Sequence, residues 1–377
     1  MISKRDLSVL HIGPGKYQPF DRSHVTYEIW SELAAGFRDY HVIARSVNAP
    51  AEWCDGNLRI TLLPSRTERE AEFLISQFKS VPVAVRHKPD VIVCQSPPLG
   101  GLAAIIIARL TGAKILMELH GAEYFVRARF ASRMWILQRL TKFAIGRSDR
   151  IRVVSQGMRL RLLDGYGGAL DGRISIVSPR VNLARFDCTR VNNVAGPLRL
   201  AMVGAVNNNK GQLRLIQALE AAPFELELRI AGEGPDLAEC RERATSLAKT
   251  HSALRVICEG FLPPDGVAAL LRSCDILIIY SRSEGTPRAA MEAMAAGVPV
   301  ITTDAGFCVD IVADGVEGFV LGNDSDREIV NVLTMLNSDR RLLARMGAAA
   351  RQRARRDFDS IRLFDDYRKL IADTAAR

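Results

Sequence analysis

The sequence predicts an α/β protein of two doubly wound domains, each built on a parallel sheet. Three observations predict it. Short runs of Val, Ile and Leu alternate with helix-length stretches along most of the chain, the pattern of βαβ units. At 377 residues, 48% hydrophobic and 25% charged, the chain exceeds one ordinary core and has a soluble globular composition. The alternation lapses over residues 178–197 into Pro, Asn, Arg and Gly, which is linker composition.

In the first half, Leu7-Ser-Val-Leu-His-Ile-Gly is an apolar run ended by glycine, and residues 25–37 follow with helical periodicity. Further strands are expected at 41–44, 58–63, 91–94, 114–119, 150–154 and 174–177. The most hydrophobic stretch, residues 99–119, contains Arg109, Thr111, Gly112 and Lys114, which suits a helix followed by a strand rather than a membrane span. The second half has expected strands at 198–204, 226–231, 255–258, 275–280, 300–303 and 318–321. Residues 338–377 read as helices only, so they pack outside a sheet or cross back to the first domain. The domains are therefore placed at 1–182 and 198–357, with a linker at 183–197 and a last helix at 358–377.

Composition narrows the function classes. The seven cysteines are odd in number and scattered, with no C-x-x-C spacing, and are expected to be reduced thiols in the cytoplasm. A polar start from Met1 to Asp6, followed by an apolar run broken at Gly13, Pro14 and Gly15, gives no signal peptide. The net charge of +9 is concentrated: between His120 and Gly165 ten Arg/Lys stand against Glu123, Asp149 and Asp164. Within that window, residues 127–143 mix basic and bulky apolar side chains at helical spacing. This fits either a helix lying on an anionic membrane or a docked surface helix with a solvated basic face.

The most informative segment is Glu284-Gly-Thr-Pro-Arg-Ala-Ala-Met-Glu-Ala-Met-Ala-Ala-Gly-Val-Pro-Val, directly after an expected strand. Pro287 suits the first helical turn, and Gly297 with Pro299 stops the helix. The free amides after Gly285 and the positive end of the helix dipole make an anion site at the carboxyl edge of a sheet, which a diphosphate would fit. Glu292 sits among Ala and Met on that helix and needs a partner for its carboxylate. Ligand hydroxyls such as those of a ribose are one. Arg288 is the other, through an i,i+4 pair in the weaker Arg-before-Glu orientation, contributing about 0.2–0.5 kcal/mol. The weakness of that pair favours the ligand. Lys210, in Met202-Val-Gly-Ala-Val-Asn-Asn-Asn-Lys-Gly, opposes the dipole of the helix it precedes and becomes favourable if an anion lies between them; otherwise it is a solvated lysine.

Together these segments resemble the family-4 retaining glycosyltransferases of the GT-B fold, over about residues 198–321. The two glutamates with seven residues between them, Glu284 and Glu292, carry the likeness, with Lys210-Gly211 and Ala231-Gly-Glu-Gly-Pro in the expected order. The resemblance implies two Rossmann-like doubly wound domains facing a central cleft and a last helix, with Phe358 and Tyr367, returning to the first. It implies that Glu284 lies at the reacting centre, Gly285, Thr286 and Pro287 line the donor sugar and phosphate, and Glu292 binds ribose. Lys210 would hold the diphosphate, Phe261 and Leu262 the base. His120, ending a strand in Met-Glu-Leu-His, matches a histidine placed near the donor sugar; a histidine bonded to a loop carbonyl is the structural alternative. Lys16 and Arg22 are the corresponding acceptor contacts. The chain departs from the family pattern at Ala205, where an arginine is common, and in Asp21-Arg-Ser-His, where Gly-Gly is usual.

The implied chemistry is metal-independent hexosyl transfer with retention, without a cofactor beyond the nucleotide diphosphate sugar, to a glycan or lipid-linked glycan of cell-surface polysaccharide. Lys210 and the helix amides would stabilise the charge gained by the leaving diphosphate. Asp324 and Asp326, like Asp357 and Asp359, have metal-motif spacing but are expected to be solvated. A monomer is expected, cytoplasmic or peripheral on the inner face of the plasma membrane, with no nucleic acid partner. Three rivals remain: a dehydrogenase, for which Gly13-x-Gly15 lacks the third glycine; a non-hydrolysing nucleotide-sugar epimerase, which shares the fold; and a non-catalytic basic surface or nucleic-acid binder, prompted by the pI of about 9.4.

Overall fold

Strands of a parallel sheet covered by helices on both faces must be apolar on both faces, and Val9, Ile12, Val42, Ile60 and Val93 accordingly have no accessible surface. The computed structural model describes residues 6–17, 25–46, 50–64, 70–95, 97–98, 100–120, 133–186, 195–285, 287–322 and 325–376. In the first half it has β1 (Ser8–Tyr17), β2 (Asp39–Ser46), β3 (Ala51–Asp55), β4 (Leu58–Pro64), β5 (Val91–Cys94), β6 (Lys114–Glu118), β7 (Arg150–Val153) and β8 (Ile174–Ile176). These form one sheet in the order β3-β4-β2-β1-β5-β6-β7-β8. All neighbours are parallel except β3 and β4, an antiparallel edge hairpin. The expected strands are all present, β1 running on to Tyr17 rather than ending at Gly13.

The second half has β9 (Leu198–Val203), β10 (Leu226–Ala231), β11 (Leu254–Gly260), β12 (Ile276–Ile279), β13 (Val300–Thr303) and β14 (Gly318–Leu321). Their order is β11-β10-β9-β12-β13-β14, with every pairing parallel. Each sheet thus has a point where the chain reverses its direction of growth: between β1 and β5 in the first, between β9 and β12 in the second. Loops leaving adjacent strands there diverge and open a crevice at the carboxyl edge.

The chain divides into two compact units, Ser178–Ser360 and a discontinuous one made of Met1–Val177 with Ile361–Arg377. The helix Ser360–Ala375 buries Phe364, Tyr367, Leu370 and Ile371 in the first unit's core with Trp30, Leu33 and Tyr40. Phe358, expected with that tail, is instead buried in the second unit's core, where its carbonyl accepts from the Val181 amide at 3.0 Å. The stretch expected as linker carries the helix Leu183–Phe186, whose Phe186 is buried in the same core. Among the described residues no helix is long and apolar enough to cross a membrane. The basic window provides the helix Arg133–Gly146; its residues 121–132 lie outside the described part.

Candidate functional site

In the second unit the crevice between β9 and β12 receives three loops. The loop after β9 ends at Gly211, whose φ is 75°; a Cβ there would come within 2.5 Å of the Tyr280 carbonyl oxygen at the end of β12. The loop after β13 presses Gly306, φ 61°, against the Glu284 backbone so closely that a Cβ would lie 1.8 Å from its carbonyl oxygen. Only glycine permits either approach. Cross-loop hydrogen bonds fix the arrangement: Asn209 Nδ2 donates to the Ser283 carbonyl at 2.9 Å, and the Arg282 amide to the Asn209 carbonyl at 2.8 Å.

This packing brings together two residues 74 positions apart. Lys210 Nζ lies 2.5 Å from Glu284 Oε1, and the Ser281 hydroxyl donates to the same oxygen at 2.6 Å. Glu284 is 7% exposed and Lys210 faces the pocket side. The pocket measures about 350 Å3 and is lined by Gly204, Lys210, Ser281, Glu284, Arg288 and Glu292 among others. Beside it Cys308 is buried, and burial first, then the Glu284 charge, push its thiol up to about 12, so it stays neutral.

The helix Arg288–Ala295 points its N-terminus at the pocket. Pro287 caps it without a side-chain hydrogen bond; its carbonyl accepts from the Ala290 amide at 3.0 Å, and the amides ahead of Ala290 are left to other partners. Ala290, Met291, Ala293 and Met294 are buried, and Gly297 follows the helix with φ 73°. Glu292 lies 3.6 Å from Arg288, the i,i+4 contact weighed above, which exceeds hydrogen-bond distance. Burial raises the Glu292 carboxyl against the pull of Arg288 and then Arg185.

The other expected residues lie apart from this pocket or beyond description. Phe261 is 68% exposed and Leu262 packs on the core of the second unit; neither lines the pocket. Gly285 is half-buried beside Glu284. Thr286 and Arg22 fall outside the described residues, as does the Lys16 side chain, whose backbone pairs with Arg45 in β1 and β2.

In the first unit His120 follows the end of β6, half-exposed, with Nε2 3.2 Å from Glu118 Oε2. Its partner is thus a carboxylate rather than a loop carbonyl. Glu118 is fully buried and accepts from Arg152 Nη1 at 2.8 Å; Arg152 Nε donates to the Val177 carbonyl at 3.1 Å, and its guanidinium stacks 4.3 Å from the Tyr367 ring centre. Burial alone would raise the Glu118 carboxyl, but Arg152 and then His120 hold it well below the ordinary range.

Ser281, Glu118 and Arg152 were not expected as functional positions. The signals for the last two were charges inside apolar strands, Ile-Leu-Met-Glu and Ile-Arg-Val; nothing marked Ser281. Asp326, expected to be solvated, accepts the Tyr280 hydroxyl, and Asp357 pairs with Arg356 at 2.7 Å. Among the described residues no group of three or more His, Cys, Asp or Glu is placed to hold a metal ion.

Comparison with known proteins agrees with this layout. The family model described as glycosyl transferases group 1 matches residues 189–353, and that described as Glycosyltransferase Family 4 matches residues 23–185. The chain is 24% identical over 305 residues to the N-acetyl-alpha-D-glucosaminyl L-malate synthase of Bacillus anthracis, covering 78% of this chain and 77% of that one. In fold it is similar to Anabaena HepE in complex with UDP-glucose, with a TM-score of 0.73 at 17% identity over 98% of this chain and 99% of the other. It is also similar to the lipopolysaccharide outer core galactosyltransferase WaaB, with a TM-score of 0.71 at 17% identity over 97% and 99%.

Proposed function

Since the chain belongs to the group 1 glycosyl transferases of the GT-B fold, and is thus a glycosyltransferase acting on nucleotide sugars, we propose that it transfers a hexosyl group with retention to a hydroxyl of a glycan or lipid-linked glycan in cell-surface polysaccharide synthesis. The observation that carries the donor half of this reading is the meeting of Lys210, Glu284, Glu292 and a helix N-terminus without a side-chain cap in one pocket. The diphosphate takes Lys210 and the first-turn amides, which stabilise the charge it gains as the sugar bond breaks. Glu284, parted from Lys210, acts at the sugar. Gly285, Thr286 and Pro287 take the sugar and phosphate contacts in this reading, and of these Pro287 lines the pocket. Glu292 accepts from ribose hydroxyls, which relieves the burial of its carboxylate. Phe261 offers an exposed ring, with Leu262, for the base. From the first unit the reading adds His120 at the donor sugar and Lys16 and Arg22 as acceptor contacts. No metal is invoked, because Lys210 and the amides meet the developing charge.

A lipid-linked acceptor is favoured by the first unit's surface. Ile136 and Phe143 on the helix Arg133–Gly146, and Leu160 on the helix Gln156–Tyr166, are exposed apolar residues. Arg139 stacks 4.9 Å from Trp135 and Arg147 3.7 Å from Phe143, so cations lie over apolar side chains as at a bilayer interface. Vesicles with anionic lipid should carry the protein upward in a flotation gradient, less so at high salt; no flotation at any salt removes the membrane element.

The decisive test is a thermal-shift series with UDP, GDP, ADP and dTDP and their common sugars on the wild type and on Glu292→Ala. A shift with one base that the variant loses supports the donor site. No shift with any of them rejects it. Label appearing in an acceptor separates transfer from epimerisation, and the anomeric configuration of that product, read by NMR, tests retention.

A further inference from the structure

The pocket wall carries two cations and two carboxylates, already matched: Lys210 with Glu284 at 2.5 Å and Arg288 with Glu292 at 3.6 Å. The pairs are unequal. The first is a short hydrogen bond to an oxygen that also takes the Ser281 hydroxyl. The second is longer than a hydrogen bond and runs in the weaker helical orientation. Among the described residues the Arg288 guanidinium makes no other ion pair, and its side chain is 58% exposed at the pocket's edge. We infer that Arg288 is a second phosphate-binding cation of this pocket, exchanging Glu292 for the diphosphate when a nucleoside diphosphate enters.

The inference rests on the donor-site reading above and deepens it. With both pairs closed the four side chains sum to no net charge, so an incoming diphosphate meets attraction only where a pair opens. The looser pair opens more readily. A guanidinium presents its donors as a planar fork that two phosphate oxygens can occupy together, a stronger contact than a carboxylate beyond hydrogen-bond reach. The released Glu292 is then an acceptor in buried surroundings, with only the weaker pull of Arg185 left, which ligand hydroxyls satisfy. One exchange therefore equips two parts of the ligand: phosphate at Arg288, hydroxyls at Glu292. Helix position assists, because Arg288 opens the helix whose N-terminal amides face the same pocket.

The test is titration calorimetry with UDP, ADP, GDP and dTDP against uridine, adenosine, guanosine and thymidine, on wild type, Arg288→Gln, Arg288→Lys, Glu292→Gln and the double variant Arg288→Gln with Glu292→Gln. For the base the wild type binds, Arg288→Gln should weaken the diphosphate at least about tenfold, as expected for a hydrogen bond to a charged group, and the nucleoside less than about twofold. Arg288→Lys should keep part of the diphosphate affinity. The loss should persist in the Glu292→Gln background, where Arg288 has no carboxylate left to hold. Equal weakening of diphosphate and nucleoside, no weakening, or a loss that vanishes in that background overturns the inference while leaving the donor site standing. Failure of the wild type to bind any diphosphate overturns both. Unchanged melting temperatures separate these results from misfolding.

Discussion

Glu118 in the first unit and Glu284 in the second are both buried carboxylates beyond or at the carboxyl end of a parallel strand, each paired with a cation, yet their surroundings differ. Arg152, the partner of Glu118, is itself 5% exposed and tied to a backbone carbonyl and an aromatic ring. Lys210, the partner of Glu284, is 29% exposed and lines an open pocket. A cation with no access to ligand can only hold the fold together; one at a pocket wall can change partners. The contrast teaches that burial of a carboxylate does not distinguish a structural lock from a binding group. The accessibility of its cation does.

The largest expected effect follows from breaking the sealed pair. Glu118→Ala leaves Arg152 buried and uncompensated and should destabilise the first unit by about 3–5 kcal/mol. The protein's three tryptophans, Trp30, Trp53 and Trp135, all lie in that unit, so a tryptophan fluorescence melt reads it selectively. Next, Lys210→Ala should leave that melt unchanged but lower turnover of the nucleotide sugar about 10²-fold or more, the scale for losing a group that stabilises leaving-group charge. A comparable loss of stability in both variants would break the comparison.

Acid should sharpen it. Burial depresses His11 to about 4, and burial, then His87 and Arg59, depress His41 to about 3, from an ordinary 6.5. Both are held neutral, so the unfolded chain takes up protons first. The stability they contribute is full above pH 6.5 and is lost as pH falls from there through about 4 for His11 and about 3 for His41, with Glu118 adding its own loss below 4.5. Glu292, raised by burial, has the opposite sign, contributing below 4.5 and losing that contribution as pH rises through its folded value. The tryptophan melt should therefore fall steadily between pH 6.5 and 4.5, and His11→Gln with His41→Gln should flatten the slope. The smallest effect is at Tyr367: among the described residues its buried hydroxyl, beside Glu118 and Arg152, makes no hydrogen bond of good geometry, so Tyr367→Phe should keep the ring stacked on Arg152 and change stability by less than about 1 kcal/mol.

The sheets were legible because buried parallel strands are near-continuous apolar runs. β3 was not, since Ala51-Glu-Trp-Cys-Asp alternates half-buried with exposed positions and offers no such run. Its Asp55-Gly56 turn, with φ 59° at the glycine, was the available hairpin signal. In the pocket, Lys210, Glu284 and Glu292 were read from motif spacing and helix chemistry, and they share one cavity. Their pairing was not readable, because Lys210 meets Glu284 only through the strand reversal between β9 and β12. Arg152 escaped for the same reason: its carboxylate is supplied by the neighbouring strand, 34 residues away.

The discontinuity of the first unit also sets an order in time. Phe364, Tyr367, Leu370 and Ile371 complete its core, yet they leave the ribosome only after residues 178–360, about ten to forty seconds later at ordinary rates of synthesis. Throughout that interval the first sheet stands with an apolar patch bare, while the second unit, continuous in the chain, has everything it needs to close. The half that is made first is finished last.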